Sequence, residues 1–94
     1  MGEKIQTLHP SAGKRGVNIS KAKYDQVREA ILEALAGGSE LTFTELERAV
    51  GDRLAGKFDG SISWYTVSVK LDLEARGILE RTDTRPQRAR LRAG

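Results

Sequence analysis

Tyr24, Val27, Ile31 and Leu35 recur at steps of three and four residues, with Ala30 and Ala34 beside them. This spacing lines the apolar side chains along one stripe of an α-helix. Asp25, Gln26, Arg28, Glu29 and Glu33 fall on the opposite side. Asp25, Glu29 and Glu33 are like charges four apart, a small penalty. Ser20 is placed to cap the helix, and Gly37-Gly38 to stop it. A one-sided helix has to be covered, so the rest of the chain must supply its partners.

A second helix is expected from LTFTELERAV, residues 41–50. Thr42 can cap it, with Glu45 three residues on as the return partner of a capping box. Leu41 and Leu46 then stand at the spacing of a hydrophobic staple. Thr44 with Glu47 offers the same box two residues later. Leu46, Ala49, Val50 and Leu54 form its apolar stripe, weakened at Gly51 by about 1 kcal/mol relative to alanine. Residues 56–60 read as a loop, with Asp59-Gly60 as a turn dipeptide.

The stretch 61–77, SISWYTVSVKLDLEARG, has two readings. Val67, Val69, Leu71 and Leu73 alternate with polar residues, as in a half-buried strand. Ser61 or Ser63 as a cap, Gly77 as a stop, and a wide apolar arc favour a helix packed by two others. The helix is the reading adopted. Ile78–Thr82 and Gln87–Arg92 flank Asp83-Thr84-Arg85-Pro86 and predict a β-hairpin. Its second run alternates Arg88, Arg90 and Arg92 with Ala89 and Leu91, which puts a row of guanidinium groups on one face. Residues 1–19, broken by His9-Pro10, Gly13 and Gly16, read as a flexible or extended segment in which Val17–Ile19 packs on the body.

Composition narrows the chemistry. Ninety-four residues make one small domain. The absence of cysteine excludes thiol catalysis, disulfides and cysteine metal sites, and a single histidine excludes a multi-histidine one. No apolar run is long enough for a membrane span, and the N-terminus lacks the pattern of a secretory signal, so a cytoplasmic protein is expected. No nucleophile–base arrangement can be assembled, so neither enzymatic activity nor a cofactor is expected.

Charge is unevenly placed. Residues 1–75 hold ten Lys/Arg against eleven Asp/Glu, a net of −1. Residues 76–94 hold six arginines against Glu80 and Asp83, a net of +4. Arginine's planar fork suits phosphate, and a basic patch on a neutral body is the footprint of a nucleic-acid binder. A solvated basic tail, or an edge strand protected from aggregation by charge, gives the same composition.

Residues 71–82, LDLEARGILERT, resemble the end of a winged-helix recognition helix running into its wing. The residues that carry the likeness are Leu71, Leu73-Glu74, Arg76, Gly77 and Ile78-Leu79. LTFTEL, 41–46, is similar to that family's short first strand leading into its second helix. The string from LHP and GVNISK through SWYTVSVKLDLEARG also resembles small uncharacterised bacterial proteins. The resemblance implies an α+β, mainly α, winged helix-turn-helix domain over residues 20–94, with three helices and a C-terminal hairpin wing. It departs from the pattern in its long gap between the second and third helices, in Lys70 where an aliphatic is common, and in a short wing with Pro86 near the tip.

Two functions follow as expectations. In the first, the domain binds double-stranded DNA as a transcription regulator. The helix at 61–77 then lies in the major groove with Ser63, Tyr65, Thr66 and Lys70 outward, and Arg81, Arg85, Arg88 and Arg90 contact phosphates or the minor groove. No Asn, Gln or Arg in the N-terminal half of that helix can read a base with two bonds. In the second, the same scaffold is a protein–protein module or a homodimer. Trp64, Tyr65 and Phe58 would be its anchor cluster, with Trp64 expected in the core and Tyr65 exposed.

Overall fold

The computed structural model describes residues 2–93. Three helices carry the core: α1 (Lys21–Ala34), α2 (Phe43–Leu54) and α3 (Ile62–Ala75). Each begins where its capping chemistry places it. Ser20 accepts from the Lys23 amide, and Ser61 from the Trp64 amide. At α2 the capping box closes in both directions, with Thr42 N–H donating to Glu45 Oε1 at 2.9 Å and Glu45 N–H to Thr42 Oγ1 at 3.2 Å. Gly77 ends α3 at φ +77°, a conformation that favours glycine. The stretch with two readings is therefore helical over Ile62–Ala75, and its strand alternative is not adopted.

Val27 and Ile31 from α1, and Leu35 at its C-terminal cap, meet Leu46 and Val50 from α2 and Val69 and Leu73 from α3, all fully buried. Burying side chains of this size stabilises the fold by about 1.5–3 kcal/mol each.

Among the described residues, five short strands complete the fold: β1 (Lys4–Gln6), β2 (Asn18–Ser20), β3 (Leu41–Thr42), β4 (Leu79–Arg81) and β5 (Arg88–Leu91). β3, β5 and β4 form an antiparallel sheet in that order, pairing Leu41 with Ala89 and Glu80 with Arg90. The arginine-bearing strand β5 is thus central, so charged protection of an edge is not the reason for its arginines. Ala89 and Leu79 point into the core from this sheet.

The N-terminal segment is extended in two short stretches, and the expected packing of Val17–Ile19 on the body comes about through a hairpin. β1 pairs antiparallel with β2, matching Ile5 to Ile19. Ile19 is buried in the core, with Ile5 and Val17 packed against it. The hairpin is locked further out by Thr7 N–H donating to Val17 O at 2.8 Å, and by Val17 N–H donating to Thr7 Oγ1 at 2.7 Å. Among the described residues, no helix is long and apolar enough to cross a membrane.

Candidate functional site

The expected DNA-contacting residues divide sharply. Ser63 is exposed near the start of α3, as expected. Thr66 is fully buried, one helical step from the outward face. Its hydroxyl has no hydrogen-bond partner among the described residues. A buried, unpaired hydroxyl is costly, so Thr66→Val should raise stability by about 1 kcal/mol in urea unfolding. A base- or phosphate-contacting threonine would gain nothing from that change.

Tyr65 is half-buried, and Trp64 takes the exposed position, which reverses the expected roles of the pair. The Tyr65 ring stands edge-on to Trp64 at 4.9 Å and to Phe58 at 5.0 Å between centroids. Lys23 Nζ of α1 sits 5.6 Å from the Tyr65 centroid. The three rings therefore pack together, and the solvent face of the group is the indole. Gly60 makes room for it, since a Cβ there would lie 3.0 Å from the Tyr65 ring.

Lys70 lies largely covered, with 13% of its side chain exposed, and binds Glu74 Oε2 at 2.5 Å. Arg81 reaches the same carboxylate with Nε and Nη2 at 2.9–3.0 Å. Burial works to raise the Glu74 carboxyl, but hydrogen bonds from Arg81 and Lys70, with their charges, outweigh it and hold it below the usual carboxylate range. Arg90 is held between strands by Glu80 Oε2 at 2.6 Å and Glu40 Oε2 at 3.0 Å. The sheet order causes this arrangement, because β5 runs between β4 and the chain entering β3. Three of the expected phosphate or base contacts are thus engaged internally. Arg85, Arg88 and Arg92 make no ion pair among the described residues.

The outward face of α3 is consequently apolar. Trp64 is 44% exposed and Val67 37%, with half-buried Leu71 one turn further along. Their spacing of three and four residues makes one stripe. Leu8, also exposed, is held against α3 by its own N–H, which donates to Asp72 Oδ1 at 2.8 Å.

Asp72 is the feature that sequence reasoning missed. Its carboxylate is fully buried and takes three donors from three parts of the chain. These are Leu8 N–H, the Tyr24 hydroxyl of α1, and Arg76 Nε at 2.8 Å. Burial first, then the hydrogen bond to Asp72 and its charge, push the Tyr24 phenol up to about 12. Tyr24 is therefore a neutral donor here. This cluster fastens the N-terminal hairpin to α1 and α3.

No curated protein and no solved structure matches the chain. Residues 4–89, spanning the N-terminal hairpin, the three helices and most of the C-terminal sheet, match a family of unknown function (DUF6958), and the chain belongs to that family.

Proposed function

We propose that the chain is a winged-helix domain that works as a protein-docking module, with the outward face of α3 as its contact surface. The element order and the pairing of β3 with β5 support the winged-helix assignment. The observation that carries the docking reading is Trp64, an exposed indole held in place by edge contact with Tyr65. Tryptophan in such a setting is the commonest kind of interface anchor, and a braced ring loses little freedom on binding.

The occupant proposed is a second copy of the chain, with the two α3 helices antiparallel about a two-fold axis. Such an interface is self-complementary by symmetry. Antiparallel helices oppose their dipoles favourably. A face built on one helix belongs to the small, transient class of interfaces.

Sedimentation equilibrium up to about 1 mM protein tests this, since a Kd at that level corresponds to only about 4 kcal/mol. The wild type should form a dimer whose affinity changes little with salt. Trp64→Ala removes one such anchor from each protomer, about 2 kcal/mol apiece, and should leave the variant monomeric up to about 1 mM. A wild type that stays monomeric throughout contradicts the reading, as does a Trp64→Ala variant that dimerises equally well.

A second reading keeps one specific observation, the arginines in and just after the C-terminal hairpin that make no ion pair among the described residues. If Arg85, Arg88 and Arg92 each neutralise a phosphate, duplex-DNA affinity falls with a log–log salt slope of about −2.7, or about 40-fold from 50 to 200 mM. This contact carries no sequence readout.

A further inference from the structure

The N-terminal hairpin and the last turn of α3 enclose an open cleft of about 540 Å³. Its volume falls within the range of small-molecule sites. Leu8, His9, Lys14, Arg15 and Gly16 line it from the hairpin, and Ala75 from α3. No acidic residue is among its lining side chains. Lys14 and Arg15, like the wing residues Arg85 and Arg88, make no ion pair among the described residues.

The third polar group is oriented. Ser11 N–H donates to His9 Nδ1 at 3.0 Å. In neutral imidazole this leaves the proton on Nε2, which makes that nitrogen a donor. The residues lining the cleft thus carry an ammonium, a guanidinium and an imidazole N–H, with Leu8 and Ala75 as apolar members of the lining. Its frame is built and not a loose tail. Asp72 pins Leu8, the Thr7–Val17 bonds close the hairpin, and Gly16 lies so near Thr7 that a Cβ would be 2.2 Å from Oγ1.

We infer that this cleft binds a small organic phosphomonoester, its phosphate on Lys14, Arg15 and His9 and its apolar body against Leu8 and Ala75. A guanidinium fork meets two phosphate oxygens at once, and the lysine and histidine donors serve the remaining oxygens. The inference is independent of the docking reading of α3.

The test is an amide chemical-shift titration of the full chain with phenyl phosphate, and separately with inorganic phosphate. Saturable shifts should centre on Leu8, His9, Lys14–Gly16 and Ala75, and phenyl phosphate should bind several-fold more tightly than inorganic phosphate. The double variant Lys14→Ala/Arg15→Ala should weaken phenyl phosphate at least 10-fold. Both side chains are exposed, so the fold is retained. An Arg85→Ala/Arg88→Ala variant should bind as the wild type does. Shifts that never saturate, or that survive the Lys14/Arg15 change, overturn the site. Equal loss in the wing variant would reduce it to general attraction by positive charge. Equal affinity for the two probes would remove the apolar contact from the account.

Discussion

Asp72→Ala is expected to lower the unfolding free energy by about 3 kcal/mol, read as a fall in the urea midpoint at unchanged slope. The estimate follows from what the carboxylate holds. Removing it leaves the Tyr24 hydroxyl, on a residue only 4% exposed, with no acceptor. It leaves Arg76 without its partner as well. Breaking a buried pair in this way costs about 3–5 kcal/mol. The lower end applies because the Arg76 side chain is 37% exposed and recovers hydration. The Leu8 amide, on an exposed residue, also regains water. For a domain of this size the change corresponds to roughly 15 °C in Tm. Arg76→Ala should cost less, about 2 kcal/mol, since Asp72 keeps the Tyr24 and Leu8 donors although its fully buried carboxylate loses its countercharge. Equal effects of the two substitutions would show that the guanidinium, and not the three-way junction, carries the stability.

Gly16→Ala is expected to be the next largest, about 2 kcal/mol, but confined to the hairpin. The added methyl would lie 2.2 Å from Thr7 Oγ1 and 2.3 Å from the Thr7 carbonyl oxygen. One contact is backbone, so a side-chain rotation cannot relieve it. The strands must part, and the two bonds joining Thr7 and Val17 at 2.7–2.8 Å are the ones that break. Hydrogen exchange should show the Thr7 and Val17 amides losing protection, while those of α1 and α2 keep theirs. Retained protection at Thr7 and Val17 would mean that the hairpin yields without opening.

The helix boundaries were legible because capping is local chemistry. Ser20, the Thr42–Glu45 pair and Ser61 each act within three residues of themselves. The C-terminal hairpin was legible for the same reason, with its two runs flanking a turn segment. The N-terminal hairpin was not, since β1 is only three residues long and its partner lies beyond a proline and two glycines.

The inverted roles of Trp64 and Tyr65 have a geometric cause. Adjacent helical residues point about 100° apart, and α3 is apolar around so much of its circumference that the pattern sets no clear inside. Thr66 was misplaced by the same ambiguity. Neutralisation of the arginines was hidden for another reason. Glu74 meets Arg81 seven residues on, and Glu40 meets Arg90 fifty residues on, through a sheet order that composition does not encode. Asp72 left one local trace, Arg76 four residues later. Its Tyr24 partner stood in plain view as the one hydroxyl-bearing aromatic on the apolar stripe of α1.

Trp64 is the only tryptophan in the chain, so its fluorescence reports on the outward face of α3 alone. Emission recorded from about 10 μM to about 1 mM protein, at low and high salt, addresses the docking account directly. The account predicts a blue shift as concentration rises, because association takes the indole out of water, with little dependence on salt. An emission maximum that stays at its solvent-exposed position at every concentration, and moves only when duplex DNA is added, would contradict it.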